Sequence, residues 1–401
     1  MNDEINQPEE LTGVPESFPP ELLSLPVGAR QEYFEQRCLI SHPHLQEALE
    51  TILQAICSPG EGASTRRPGT MVLVIGPSRV GKTTLIHLLE ERLQALSKAQ
   101  MLSDPSFIPF ASILAAGPGT NRFEWAEYYR AVLRALHDPF VDGKTARIRA
   151  RELREAMEMA LCERKPLAII VDEAHHLAEA NRGSRLQSQL NHLKHFENAT
   201  GASHILVGTY EMRPFRKVNA QLACRSVDIH FPRYDATIDQ DAQVFQSVVW
   251  ALQRQLPVEK EPALIDHWEF LYARSIGCIG WLKMHLNRAL NLALTEQAKT
   301  VTLTHLRKTA PAETRVELAL RNALESEAEL AESDGADERL LTLLGLRGSR
   351  RSPQSKVKAD EPSPVSKKPD RPGKRSPSRD SIEQGPDEDP LQPVPGEEKV
   401  G

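Results

Sequence analysis

One stretch constrains the fold more than any other in this chain. Gly76-Pro77-Ser78-Arg79-Val80-Gly81-Lys82-Thr83 fits the phosphate-binding pattern G-x-x-x-x-G-K-[ST] at every fixed position. The continuously apolar run Met71–Ile75 precedes it, which is typical of a strand buried on both faces of a parallel sheet. Leucines at three- and four-residue spacing follow and predict a helix from Thr83 to about Ser97. The predicted phosphate contacts are Gly76, Pro77, Ser78, Arg79, Val80, Gly81, Lys82, Thr83 and Thr84.

A second signature lies about 90 residues downstream, where the apolar run Leu167–Val171 leads into two adjacent carboxylates. At the end of a core strand beside a phosphate loop, Asp172 is predicted to hold Mg²⁺ together with the Thr83 hydroxyl. Glu173 is predicted to orient the water that attacks a bound nucleotide. Another apolar run, Ser203–Gly208, predicts a strand that places Thr209 beside this acid pair. These patterns predict that the chain binds a nucleotide with Mg²⁺ and hydrolyses it; the family resemblance given below implies that the nucleotide is ATP.

Two neighbouring histidines, His175 and His176, raise the alternative of a metal site next to the acids. Adjacent side chains diverge and no third ligand recurs at helical spacing, so a polar structural role is favoured. Basic residues between 144 and 151 are interleaved with acids further along, which suits a solvated helix face as well as a contact with a phosphate backbone.

Composition limits the remaining possibilities. The five cysteines form no C-x-x-C pair, no run of 18 apolar residues exists, and the first residues do not resemble a signal peptide, so we expect a cytoplasmic protein without a membrane segment. The net charge of −6 neither supports nor excludes nucleic-acid binding. Residues 347–401 are rich in proline and serine, basic at first and acidic at the end, which predicts a disordered tail.

Taken in order, the phosphate loop, Asp172-Glu173-Ala174-His175-His176, Gly208-Thr209 and Gln221-Leu222-Ala223-x-Arg225 resemble AAA+ ATPases of the TniB/TnsC transposition-regulator group, relatives of the bacteriophage Mu B protein. The resemblance covers about residues 30–310. It implies a P-loop AAA+ module with a parallel central sheet and a small C-terminal helical lid. The four variable positions of the loop, Pro77–Val80, differ from the small, Gly- or Ser-rich residues expected in the family.

The resemblance also implies partners and roles. Such proteins assemble as rings or helical filaments on double-stranded DNA of any sequence and link a target-selection protein, TniQ-like, to a transposase. It implies that Thr209 is the first sensor, Arg225 an arginine finger that completes a neighbouring subunit's site, and Lys283 the second sensor in the lid. The implied DNA contacts are Thr120, Asn121 and Arg122, with Lys144, Arg147, Arg149 and Arg151 as second candidates.

We therefore expect five segments: an extended N-terminal arm (1–30), an α/β nucleotide-binding domain (31–238), a helical lid (239–315), a charged surface helix with an apolar partner-docking segment (316–346) and a tail (347–401). Two other functions stay open. One is a nucleotide-switched adaptor, similar to a helicase loader, that acts mainly through protein partners. The other is an ATP-binding scaffold with negligible turnover.

Overall fold

The computed structural model describes residues 17–57, 69–117, 123–139, 148–179, 184–217 and 226–330, together with residues 341, 342, 344 and 346. The chain divides into two compact units, Met1–Ser333 and Asp334–Gly401. In the second unit the described leucines Leu344 and Leu346 are largely exposed. The predicted tail, 347–401, lies outside the described residues.

A five-stranded sheet with the strand order β2-β3-β4-β1-β5 organises the first unit, and every pairing in it is parallel. The predicted α/β fold with a central parallel sheet is confirmed. Strand β1 is inserted between β4 and β5, so the residues that follow β1, β4 and β3 lie side by side at one edge of the sheet. The strands are β1 Met71–Ile75, β2 Phe110–Leu114, β3 Ala168–Asp172, β4 Ser203–Gly208 and β5 Ser226–His230.

Helices account for most of the other described residues. Shorter helical turns cover Pro20–Ser24, Tyr33–Arg37, Tyr210–Met212 and Ile265–His267. No helix of the described part is long and apolar enough to cross a membrane. The helices are α1 Val27–Glu32, α2 Pro43–Cys57, α3 Lys82–Ser103, α4 Trp125–Ala135, α5 Ala150–Arg164, α6 His175–Glu179, α7 Ser184–Thr200, α8 Arg213–Lys217, α9 Asp239–Gln255, α10 Trp268–Ser275, α11 Ile279–Thr295, α12 Leu303–Thr309 and α13 Glu313–Leu330.

The residues of β1 explain why this strand is central. Met71, Leu73 and Ile75 point to one face of the sheet and pack with α4, α5 and α7, while Val72 and Val74 point to the other and pack with α2 and α3. Every side chain of the strand is buried, with at most 3% exposed. An apolar run without polar alternation therefore encodes a strand covered by helices on both faces.

A separate apolar cluster holds the lid together and joins residues of α9, α10, α11 and α12. Phe34 and Cys38 belong to the same cluster, and the Tyr33 hydroxyl donates to Gln255 Oε1 over 2.6 Å. The prediction of an extended arm over residues 1–30 is wrong for its described part. Residues 20–32 are mostly helical, and the Arg30 guanidinium donates to the Pro257 carbonyl, which attaches this segment to the lid through a polar contact.

Helix α13 also differs from the prediction of a surface helix. Its charges gave no hint of a packing face, yet Val316 is 8% exposed and Ala323 2%. The Arg233 guanidinium donates to Glu327 of α13 over 3.2 Å, and Arg213 pairs with Glu329 over 3.0 Å. The helix is thus attached to the nucleotide domain along its length.

Candidate active site

The carboxyl-terminal ends of β1, β4 and β3 bring the predicted site together. The Gly76 N–H donates to the Gly208 carbonyl over 3.3 Å, and the Ala174 N–H donates to the Val207 carbonyl over 2.9 Å. Because β4 lies between β1 and β3, Thr209 lies between the phosphate loop and the acid pair. The structure therefore groups Lys82, Asp172 and Thr209 at one edge of the sheet.

The phosphate loop has the backbone that its motif requires. Gly81 adopts a φ of 122°, which a side chain would disfavour, and immediately precedes α3. Lys82 is buried, and its ammonium donates to the carbonyls of Gly76 and Pro77 over 3.2 and 2.8 Å. Burial lowers the pKa of Lys82, while the charges of Glu173 and Asp172 act in the opposite direction. The loop thus places a cation beside the N-terminus of a helix, a combination that favours phosphate.

The acid pair has two distinct environments. Burial raises the pKa of Asp172, and its Oδ1 accepts the Glu173 N–H over 2.8 Å. The Glu173 side chain is 45% exposed and reaches a cavity in front of the loop. The inner carboxylate is fixed by its own backbone neighbour, and the outer one is free to turn.

That cavity has a volume of about 930 Å³ and two walls. The loop wall comes from the ends of the strands, and the helical wall comes from α11 and α13. Gly280 at the start of α11 packs so closely on the Arg79 carbonyl that a Cβ would clash there. The loop wall consists of Pro77, Ser78, Arg79, Glu173, His175 and Thr209, and the helical wall of Trp281, Met284, Arg288, Arg315, Leu318 and Asn322.

Backbone strain is concentrated around this cavity. Among the described residues, six that are not glycine have a positive φ, and three of these line the cavity: Arg79 (62°), Glu173 (52°) and Ile276 (50°). A left-handed backbone costs such a residue about 1–2 kcal/mol. Strain of this kind persists where surrounding structure enforces it, and it gathers at functional sites.

The structure does not bring Lys283 to the phosphate loop. Its ammonium donates to the carbonyls of Glu35 and Cys38 over 2.8 and 2.7 Å, so it joins the N-terminal segment to the lid. Arg288 of the same helix lines the cavity instead. This placement gives no support to Lys283 as the second sensor, because its donors are used elsewhere.

The other predicted residues lie away from the cavity or outside the described residues. Arg149 directly precedes α5, and the exposed Arg151 pairs with Glu155 four residues on, over 2.8 Å. Within the described residues, no three His, Cys, Asp or Glu side chains are grouped to hold a metal. The predicted residues outside the described part are Thr120, Asn121, Arg122, Lys144, Arg147 and Arg225.

Several cavity residues were missed from the sequence. His175 lies 3.1 Å from Glu173, where only a general polar role was expected. Its position two residues after Glu173, at the start of a helix, was the available signal. Arg288 and Arg315 carried no signal, because their helices show only amphipathic spacing.

These residues fit a nucleotide with Mg²⁺. The loop N–H groups and Lys82 suit anionic phosphates, and Thr83 and Asp172 provide the oxygen ligands that Mg²⁺ prefers. The positive charge of Lys82, buried at the start of α3, is an observation of this structure that favours an anion at that point.

Comparison with known proteins agrees with this geometry. The sequence model of a family described as AAA domain matches residues 65–215. No curated protein matches the chain in sequence. Similar solved structures include the Aeropyrum pernix ORC2 protein in ADPNP–ADP complexes, with 14% identity, a TM-score of 0.48 and 71% of each chain covered. Drosophila ORC bound to DNA is similar with 14% identity and a TM-score of 0.45, over 88% of this chain and 91% of that chain. Cdc6p from Pyrobaculum aerophilum is similar with 14% identity and a TM-score of 0.48, over 70% of each chain.

At this level of identity and superposition, the similar structures assign no function. The family match covers the phosphate loop, the acid pair and Thr209. It coincides with four of the five strands of the parallel sheet. Residues 65–215 therefore match an AAA domain, within an α/β fold built on a five-stranded parallel sheet.

Proposed function

We propose that the chain is an AAA+ ATPase that hydrolyses ATP at the cavity in front of the phosphate loop. One observation carries the proposal: Lys82, Asp172 and Glu173 meet at one sheet edge, with Glu173 facing the cavity and Asp172 half-buried behind it. A site that only binds nucleotide has no need of a second, outward carboxylate.

The proposed roles follow from these environments. Lys82 and the loop N–H groups hold the phosphates, while Thr83 and Asp172 hold Mg²⁺, which neutralises phosphate charge when bound. Glu173 Oε2 orients the attacking water and accepts its proton, and Thr209 marks the γ-phosphate position from the neighbouring strand. Arg288 and Arg315 supply positive charge from the helical wall.

We further propose that Arg225 acts on the site of a neighbouring subunit. Ser226, the next residue in sequence, pairs with Met71 at the amino end of β1. At about 3.3 Å per residue, the length of β1 separates this end from Gly76 by more than 13 Å. Ser226 therefore lies far from the phosphate loop of its own chain, and this distance supports a role for Arg225 in completing a neighbouring site in a ring or filament.

The finer proposal is an ATP-dependent regulator of DNA transposition. Its support is the TniB/TnsC resemblance of the motifs around the site. In this proposal the assembly binds double-stranded DNA without sequence preference and links a TniQ-like target-selection protein to a transposase. Arg149 and Arg151 at the start of α5 are described candidates for DNA contact, together with the loop residues Thr120–Arg122.

Two assays on the full chain test this function and separate its alternatives. We expect steady-state phosphate release that Lys82→Ala abolishes, and an ATP-dependent gel shift with random-sequence duplex that weakens as salt rises. Turnover without a gel shift would favour the protein-directed adaptor. Nucleotide binding without phosphate release would favour the scaffold and contradict the ATPase.

Mixing inactive variants tests the trans role of Arg225. Arg225→Ala is expected to lose on the order of 10³-fold in turnover. Combined with Lys82→Ala, it should recover activity at mixed interfaces, because one subunit provides the loop and the other the arginine. No recovery at any ratio would contradict the trans assignment.

A further inference from the structure

A nearly buried imidazole lies between two carboxylates beside the acid pair. The His175 side chain is 11% exposed, its Nδ1 lies 3.1 Å from Glu173 Oε2, and its Nε2 lies 3.8 Å from Glu211 Oε2. The Thr209 hydroxyl donates to the same Glu211 oxygen over 3.5 Å. These four residues form a continuous polar line from Thr209 to Glu173, which we call the Thr209–Glu173 relay.

The inner end of the relay is incompletely bonded. Within the described part of the chain, His175 Nδ1 is buried and has no aligned hydrogen bond, and Glu173 Oε2 is its near acceptor. The Glu173 side chain is 45% exposed and has room to turn. A buried donor without a partner is costly, so the ring attracts the carboxylate whenever Nδ1 carries the proton.

A neutral imidazole has one N–H and can donate to only one of its two carboxylate neighbours. With the proton on Nδ1 the ring holds Glu173, and with the proton on Nε2 it holds Glu211 and releases Glu173. The Thr209 hydroxyl shifts this balance because it satisfies the same oxygen of Glu211. When that hydroxyl turns away from Glu211, its place on this carboxylate oxygen becomes open to Nε2–H.

We propose that His175 is a positioning residue that couples Thr209 to Glu173 through Glu211. A γ-phosphate at Thr209 draws the hydroxyl away from Glu211, His175 then donates from Nε2, and the freed Glu173 turns to the water. The inference rests on the proposed ATPase function and adds regulation of the same site. Glu173 is held back until the nucleotide carries its third phosphate.

Kinetics of Glu211→Gln, His175→Gln and the double variant test the relay in the full chain. We expect Glu211→Gln to lower kcat by on the order of tenfold, because Nε2 loses its carboxylate acceptor and the ring keeps holding Glu173, with an unchanged KM and an unchanged Kd for ATPγS. His175→Gln should lower kcat less than Glu211→Gln does, and the double variant should match His175→Gln, because Glu211 acts on Glu173 only through the imidazole. Glu163→Gln, an exposed carboxylate on α5, is the matched control.

Glu211 is 59% exposed, so its variant should fold even if the buried His175 does not tolerate change. Unfolding midpoints of all variants check this point. Multiplied losses in the double variant, an unchanged kcat in Glu211→Gln, or a changed Kd with constant kcat would each overturn the relay. If the wild type turns over ATP, Lys82→Ala abolishes this turnover and the relay variants retain it, then the relay is contradicted and the ATPase proposal stands. Wild-type protein without turnover would remove the ATPase proposal as well.

Discussion

The two walls of the cavity are built in different ways. The loop wall consists of short segments that leave parallel strands, and two of its residues, Arg79 and Glu173, have a left-handed backbone. The helical wall consists of side chains from regular helices, including Arg288 and Arg315. This difference shows that the proposed catalytic groups lie where the backbone is irregular and held in place, while the helices close the cavity and add positive charge.

Attachment of the helical wall to the nucleotide domain gives the largest expected effect on stability. The Arg233 side chain is 4% exposed and binds Glu327 of α13, whose other oxygen accepts the Tyr210 hydroxyl over 3.3 Å. Glu327→Gln leaves a buried guanidinium with the weaker partner Asp235. We expect the free energy of unfolding to fall by about 3 kcal/mol in urea titrations.

The exposed Glu325→Gln on the same helix is the control, and we expect no change there. An equal stability for Glu327→Gln and wild type would show that this pair does not hold the walls together.

A buried histidine between the core beneath the phosphate loop and the lid cluster predicts a dependence of stability on pH. His42 is buried, stacks on Phe231 and shares a 2.8 Å hydrogen bond with Tyr234, and burial lowers its pKa to about 4. The unfolded chain binds the proton near pH 6.5, so this contribution to stability is complete above that pH and is lost as the pH falls toward 4. Between pH 7.5 and 5 we expect a loss of about 2 kcal/mol from His42.

Urea unfolding of the wild type and His42→Asn at both pH values isolates this group, since asparagine offers Tyr234 a partner that does not titrate. Over that pH range, the free energy of unfolding of the variant should fall by about 2 kcal/mol less than that of the wild type. Parallel losses in the two proteins would place the titration elsewhere.

The charge of the helical wall gives the smallest expected effect. Arg288→Ala and Arg315→Ala should each weaken ATPγS binding by roughly tenfold, as expected for one charge-assisted contact. Arg307→Ala, an exposed arginine on α12 away from the cavity, is the control. Unchanged affinity in both cavity variants would limit nucleotide recognition to the loop wall.

The loop wall was far easier to predict from the sequence than the helical wall. Motifs fixed Gly76–Thr83 and Asp172-Glu173 because phosphate and metal chemistry tolerates few residues at those spacings. The parallel sheet followed from apolar runs such as Met71–Ile75. Arg288 and Arg315 escaped prediction because helical periodicity shows which face is buried and not which helix it meets.

The contacts of Lys283 likewise could not be predicted from the sequence. A basic residue after a Gly-led turn suggested a nucleotide contact, but its ammonium binds the Glu35 and Cys38 carbonyls of the segment before α2. Packing of Phe34 and Cys38 in the lid cluster, which charge and proline content did not indicate, determines the position of this side chain.

The central claim is that Glu173 performs chemistry and does not hold the nucleotide. The most direct test measures ATPγS affinity and single-turnover phosphate release on the same preparations of wild type and Glu173→Gln. The account predicts equal affinity and a release rate lower by about 10²–10⁴-fold, as for loss of a general base. Wild-type release from Glu173→Gln would contradict it and place the base on another residue.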